Sequence, residues 1–252
     1  MQRRHRLNQI AARVVARGQI DVSSLATEFG VSCATIRRDL QALENQRLVA
    51  RTHGGARIHA AFNDLPLSYK TAQDLAEKQR IARAATRFLA GASVIGTTGG
   101  TTVAQFARLL RDAGDLTVIT NALNVAADLA ACPRLRVFVA GGEVRASSQE
   151  SIGPSAEAFL AECDIDVAFI GVDGVDAEAG CTNYDPAGAR VNAALCRRAR
   201  MRVVLADATK IGRVTLAPVC ALPDVNVLIT DDRVPPGELE RIRRQGCQVI
   251  CA

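Results

Sequence analysis

No run of about 18 apolar residues occurs in this 252-residue chain, which leaves no segment suited to cross a membrane as a helix. The opening segment MQRRHRLNQIAARVV is basic but lacks the continuous apolar stretch and small-residue cleavage site of a secretory signal. A cytoplasmic protein is therefore expected. Histidine is scarce, with three in the chain, and the eight cysteines (Cys33, Cys132, Cys163, Cys181, Cys196, Cys220, Cys247 and Cys251) include no CxxC pair. Structural zinc ordinarily takes two close ligand pairs, so no metal site is expected. Disulfide frameworks belong to small secreted chains, and these cysteines read instead as small core residues. Low-complexity segments and fixed-period repeats are also missing.

What the chain does have is apolar mass and unevenly distributed charge. Apolar residues make up 48% of it, ample for the core of one large domain, or of a medium domain with a small one attached. Residues 1–60 carry ten Arg and no Lys against four acids (Asp21, Glu28, Asp39 and Glu44), an excess of six positive charges. The whole chain nets +5, so everything beyond this head is close to neutral. A basic head on a near-neutral body points to a polyanion-binding module joined to something else.

Periodicity divides the head into three short helices and a hairpin. Leu7, Ile10 and Val14 recur at helical spacing. In DVSSLATEFG, Ser23 or Ser24 is placed to cap a helix with Leu25 and Phe29 buried, and Gly30 ends it. After the turn at Gly30 and Val31, Ser32 caps a third helix, SCATIRRDLQALENQ, whose buried stripe is Ile36, Leu40 and Leu43. LVARTHGGARI then alternates, turns at Gly54 and Gly55, and returns. This is the order of a winged helix-turn-helix, and its third helix suits a DNA major groove. The solvent side of that helix is expected to present Ser32, Thr35, Arg38 and Gln41, with Arg37 on the flank. Arg can make two parallel hydrogen bonds to a guanine edge, and Ser, Thr and Gln can bond phosphates or bases. Arg51, His53 and Arg57 on the hairpin are placed to reach backbone phosphate or the minor groove. The competing reading pairs Arg37 and Arg38 with Asp39 or Glu44 on an ordinary exposed helix face.

Beyond an irregular stretch containing Pro66, the pattern changes to alternating strands and helices. Apolar strands are expected in SVIGTT, LTVITN, LRVFVAGG, VAFIGVDG, RVVLAD, VNVLITD and CQVICA. Helical segments lie between them: TTVAQFARLL, ALNVAADLAA, PSAEAFLAEC and ARVNAALCRRA. That alternation predicts an α/β domain with a mainly parallel sheet covered on both faces.

The run TTGGTTVAQFA carries chemistry. Its glycines let backbone approach a ligand, and the amides of Gly99, Gly100, Thr101 and Thr102 open a helix, where unpaired N–H groups favour an anion. Thr101 and Thr102 add hydroxyls. No Lys-Ser/Thr follows and the spacing is not GxGxxG, so neither ATP nor a dinucleotide is expected, and no cofactor is. The plainer reading is a tight strand-to-helix turn. Ligands of open α/β sheets bind beyond the carboxyl ends of the strands. Thr120 and Asn121, Gly141, Gly142 and Arg145, Asp173 and Gly174, and Asp207 and Lys210 all fall at such ends. Lys210 is the natural counter-charge for a phosphate, and Asp173 and Asn121 are suited to sugar hydroxyls.

VSSLATEFGVSCATIRRDLQALENQRLVARTHGGA resembles the N-terminal signature of the DeoR family of bacterial transcriptional regulators, and the likeness continues to LITDD. The resemblance implies operator contacts by Ser32, Thr35, Arg37 and Arg38. It also implies a body similar in fold to ribose-5-phosphate isomerase and glucosamine-6-phosphate deaminase, sensing a phosphorylated sugar or related metabolite. The expected division is a winged helix-turn-helix over 1–58, a linker over 59–76 and an α/β sensor over 77–252. Where many members read Asp-Ser-Gly-Thr-Thr, this chain has Thr98-Gly99-Gly100-Thr101-Thr102, without that sugar-binding carboxylate. Where many read Glu-Glu-Ala, it has Ala187-Gly188-Ala189. An enzyme of this fold needs a base beside a substrate carbon, and residues 187 and 188 supply no second carboxylate to join Asp173. A sensor without catalytic residues is therefore expected over an isomerase or deaminase, or over a body that serves oligomerisation alone. A homodimer or homotetramer is expected, because two linked heads gain affinity on paired half-sites.

Overall fold

The computed structural model describes residues 3–45, 49–58, 67–71 and 73–252. It divides into two compact units, Met1–Gln73 and Asp74–Ala252.

In the first unit, α1 (Arg3–Arg17) buries Ile10, Ala11 and Val14. A short strand, β1 (Gln19–Asp21), leads into α2 (Val22–Phe29). The cap of α2 is neither serine. The Asp21 carboxylate accepts from the Ser23 and Ser24 amides, and the Ser23 hydroxyl donates to it as well. A carboxylate outcompetes a hydroxyl here because it brings negative charge to the positive end of the helix. Gly30 closes α2 in the left-handed region, as expected. The third helix, α3 (Cys33–Asn45), begins with the Ser32 hydroxyl accepting from the Thr35 amide at 3.2 Å, and Ile36, Leu40 and Leu43 are fully buried.

The hairpin β2 (Val49–Thr52) and β3 (Gly55–Ile58) gains a third strand, giving the antiparallel order β1-β3-β2. At three residues, β1 carries too little alternation to be read as a strand from sequence. Where β1 crosses β3, a Cβ on Gly55 would lie 2.0 Å from the Ile20 carbonyl oxygen, so only glycine fits. Residues 59–66 of the expected linker lie outside the described residues. Later in that stretch α4 (Leu67–Lys70) lies against α1, and Tyr69 is buried in the head's core.

The second unit opens with α5 (Leu75–Ala85), which already packs into the body's core through Ile81, Ala82 and Ala85. Its seven-stranded sheet is wholly parallel. In chain order the strands are β4 (Val94–Thr97), β5 (Leu116–Thr120), β6 (Leu135–Val139), β9 (Ile165–Gly171), β12 (Ala199–Leu205), β14 (Val227–Thr230) and β15 (Gln248–Cys251). They coincide with the seven expected segments, and in space they run β15-β14-β12-β9-β4-β5-β6. Successive side chains serve opposite faces. Val167 and Phe169 of β9 face the layer of α5, α6 (Thr101–Leu109) and α7 (Leu123–Leu129), where Phe169 stacks on Phe106 at 4.1 Å. Ala168 and Ile170 face α8 (Pro154–Ala161), α9 (Pro186–Arg198) and α10 (Pro236–Arg243). With both faces covered, the strands read as continuous apolar runs.

Two features outside the main sheet escape sequence reading. One is the hairpin of β7 (Glu143–Arg145) and β8 (Glu150–Ile152); the other is an antiparallel sheet of β10 (Gly174–Asp176), β11 (Gly180–Asn183) and β13 (Ala217–Cys220). Their strands are three or four residues long, and none forms a continuous apolar run like those of the main sheet. Cys181, Cys196 and Cys247 are buried in the core. Among the described residues, no helix is long and apolar enough to cross a membrane, and no acidic, His or Cys cluster is placed to hold a metal ion.

Candidate DNA-reading face and anion site

The buried stripe of α3 turns its other side to solvent, where Arg37, Arg38 and Gln41 are exposed and Thr35 is half-buried. Asp39 points inward instead. Its buried carboxylate accepts from Arg6 Nε at 2.6 Å and Arg3 Nε at 3.4 Å, tying α1 to α3. Glu44 accepts from the Arg51 amide at 3.1 Å and from Gln41 at 3.2 Å. Both acids that might have neutralised the helix arginines are thus engaged elsewhere. Among the described residues Arg37 and Arg38 have no ion-pair partner. Arg13 is likewise structural: it bonds Glu28 at 2.5 Å and lies over the Phe29 ring, joining α1 to α2.

Other expected reading residues bond one another. The hydroxyls of Ser32 and Thr35 are 3.0 Å apart, and Arg51 Nη1 donates to Gln41 Oε1 at 2.5 Å. The Arg51–Gln41 bond links the wing to the helix. His53 on the hairpin turn and Arg57 on β3 are exposed.

In the body, the chain runs outward from β4 through β5 to β6, then returns to place β9 on the other side of β4. The carboxyl ends of β4 and β9 are therefore the switch point of the sheet, where an open α/β fold leaves a crevice. The loop 98–100 lies there. Thr98 latches the two strands: its hydroxyl accepts from the Gly171 amide at 2.8 Å, and its own amide donates to the Phe169 carbonyl at 3.2 Å. Among the described residues no side chain caps α6, whose N-cap position is Gly100, so the amides at its start are left for solvent or an anion. Thr101 and Thr102 are largely buried beside them.

Of the four expected cradle amides, that of Gly99 is occupied. It donates to Glu150 Oε1 at 2.9 Å, and Asn121 Nδ2 lies 3.4 Å from the same oxygen. Glu150 arrives because the β7–β8 hairpin folds back over the end of β5: Ser151 N–H donates to the Asn121 carbonyl at 2.7 Å, and Leu123 N–H to Gln149 O at 2.9 Å. Asn121 also donates to the Ser151 carbonyl at 3.2 Å, so it clamps this hairpin. Burial pushes the Glu150 carboxyl above its ordinary range; the Ser148 hydroxyl, the Gly99 amide and the Arg145 charge oppose that, while Asp173 adds to it. Arg145 and Asp173 therefore belong to the same electrostatic cluster. Arg145 Nε is also 3.8 Å from Asp185, whose carboxylate caps α9 through the Gly188 amide at 2.6 Å.

Asp173 itself holds backbone, its Oδ2 accepting from the Tyr184 amide at 3.2 Å. Gly141 and Gly142 follow β6, two strands from β4, and are exposed. Lys210 is half-buried on a 3-10 turn after β12, beside β9 in the sheet. Glu150 and Asp185 were missed from sequence. The signal available was the Gly99–Gly100 doublet, which leaves room that another side chain must fill.

The family model for the DeoR-like helix-turn-helix domain matches residues 6–61, and that for the DeoR C terminal sensor domain matches residues 73–232. A putative aga operon transcriptional repressor of Escherichia coli O157:H7 is 32% identical over 248 residues, covering 97% of this chain and 92% of the relative. The glycerol-3-phosphate regulon repressor of Escherichia coli K12 is 30% identical over 236 residues, covering 94% and 93%. The full-length sorbitol operon regulator SorC of Klebsiella pneumoniae is similar with a TM-score of 0.44 and 13% identity, over 93% of this chain and 98% of that one. With both units matched and its relatives spanned nearly end to end, the chain belongs to the DeoR family of DNA-binding transcriptional regulators.

Proposed function

We propose that the protein represses a carbohydrate-metabolism operon and leaves its operator when the body binds a phosphorylated sugar or related metabolite. The observation that carries this reading is the start of α6 at the switch point of the sheet, which no side chain caps among the described residues, with Glu150 and Asn121 bonded at the adjoining Gly99. A dianionic phosphate suits helix amides that no side chain among the described residues satisfies. Lys210, after β12 and two strands from β4, is assigned the counter-charge. The names of two relatives point the same way, one to glycerol 3-phosphate and one to an aga operon.

Operator double-stranded DNA meets the head through Arg37 and Arg38 on α3, with His53 and Arg57 of the wing on the phosphate backbone. Gln41 and Arg51 contribute by holding the wing against the helix. The body acts as a sensor, not an enzyme: residues 187 and 188 bring no second carboxylate to join Asp173, and the relatives are named as repressors. The protein works in the cytoplasm as a homodimer or homotetramer.

The test is release of operator DNA, followed by fluorescence anisotropy at fixed salt, against a panel of sugar phosphates and their unphosphorylated parents. Release by one or more phosphorylated compounds, but not by the parents and without turnover, is the expected result. Consumption of a sugar phosphate at enzymatic rates would establish the isomerase or deaminase reading instead.

A further inference from the structure

We propose that Glu150 selects the effector: its carboxylate, seated on the Gly99 amide, accepts a hydrogen bond from a hydroxyl or ammonium group on the ligand's non-phosphate end. This deepens the reading of the body as a sugar-phosphate sensor and rests on it.

Three observations lead there. First, Gly99 and Glu150 form a matched pair. A Cβ on residue 99 would lie 2.6–2.7 Å from the Glu150 carboxyl and its Cγ, so the carboxylate occupies space that any other residue at 99 would fill. Second, the contact is a directed bond and not loose proximity, at 2.9 Å from the Gly99 amide and with the Asn121 amide group on the same oxygen. These two donors fall on Oε1 and the Ser148 hydroxyl is also drawn to the carboxylate, so three of its roughly four acceptor sites are engaged and one is left for a ligand. Third, Glu150 is fixed at this place by backbone. Residues 149 and 151, on either side of it, bond Leu123 and Asn121 at the end of β5.

The charge at this position dictates what lies beside it. A phosphate against Glu150 would meet a like charge in a partly buried setting, which is strongly unfavourable. The phosphate is therefore confined to the amides further into α6, and the part of the ligand reaching Glu150 must be a donor. Thr98, on the other side of Gly99, has its hydroxyl turned to the Gly171 amide and offers no carboxylate. The ligand class is a phosphomonoester with hydroxyl or ammonium donors remote from the phosphate.

The experiment uses the full chain and isothermal titration with glucose 6-phosphate, glucosamine 6-phosphate, glycerol 3-phosphate and inorganic phosphate. Whichever organic phosphate binds the wild type is expected to bind Glu150→Gln about ten- to a hundred-fold more weakly, the usual effect of losing a charge-assisted hydrogen bond. Inorganic phosphate, which has no hydroxyl or ammonium group remote from its phosphorus, should bind both proteins alike. Loss confined to the amino sugar assigns an ammonium partner, and loss shared with glucose 6-phosphate assigns a hydroxyl. Gly99→Ala, which displaces the carboxylate without removing it, should reproduce the pattern, with thermal unfolding confirming that both variants are folded. Undiminished binding of the same organic phosphate by Glu150→Gln would overturn the assignment while leaving the sensor reading intact. Tighter binding of inorganic phosphate by that variant would overturn it in another way, making Glu150 an occluding anion. If the wild type binds no organic phosphate, the sensor reading fails, and this assignment with it.

Discussion

Arg38 and Asp39 are chain neighbours with opposite tasks, and a helix separates them by a turn of about 100° per residue. Arg38 faces solvent without an ion-pair partner among the described residues, whereas Asp39 is buried against Arg6. Replacing Arg38 by Ala should leave the head folded and weaken specific operator binding by roughly 1–3 kcal/mol if it contacts a base edge. Anisotropy titration at fixed salt measures this, and unchanged affinity in a folded variant removes Arg38 from the reading surface. Asp39→Ala should do the reverse. It strands Arg6, whose side chain is 10% exposed, without a partner, and breaking a buried pair costs about 3–5 kcal/mol. Denaturant unfolding should show a destabilised head.

At the scale of elements, the carboxyl ends of β12 and β14 are held together by Asp231. Its carboxylate accepts from the Ala208 amide at 2.8 Å and from Arg233, which also bonds Asp74 just before α5 at 2.6 Å. Burial by itself would raise the Asp231 carboxyl, but the Arg233 side chain and the two backbone amides together hold it below its ordinary value. A carboxyl lowered by folding contributes stability that is complete above its unfolded value, about 3.9, and lost as pH falls through the folded one. The body's thermal midpoint should therefore drop on acidification below about pH 4. Asp231→Asn should be less stable than wild type at neutral pH, with the difference shrinking in acid. A difference that stays constant from pH 7 to pH 3 would show that the contact contributes through shape and not charge.

For the molecule as a whole, a reading head and a sensing body must be coupled, and coupling needs a ligand that prefers the DNA-incompetent arrangement. Lys210→Ala alters the body alone. Operator affinity without effector should stay at the wild-type level, while the effector concentration needed for release rises about ten- to a hundred-fold. Release at the wild-type concentration would place the phosphate away from Lys210. Assembly belongs to the same scale, since one head covers few base pairs and paired heads gain affinity from linkage. Light scattering at micromolar concentration should give a dimer or tetramer. A monomer with full operator affinity would rule that out.

What the amino-acid sequence determined by itself is everything carried by neighbours along the chain. The seven sheet strands are continuous apolar runs because helices cover both faces, and that composition is visible without coordinates. The stripe Ile36, Leu40 and Leu43 follows from helical period, and Gly30 and the Gly99–Gly100 doublet announce their turns. The tertiary structure decided which of these meet. Asp21 capping α2 was within reach of sequence, but a carboxylate and two serines in one turn left the choice to geometry. That Asp39 turns to Arg6, 33 residues away, depends on how α1 packs against α3. Glu150 reaches Gly99, 51 residues earlier, because a short hairpin folds over the end of β5, and no local pattern encodes such a crossing. Contacts of that separation are set by backbone register and by the space left when other side chains have packed. For that reason the anion-favouring turn can be read in the sequence, and the carboxylate seated on it emerges only from the fold.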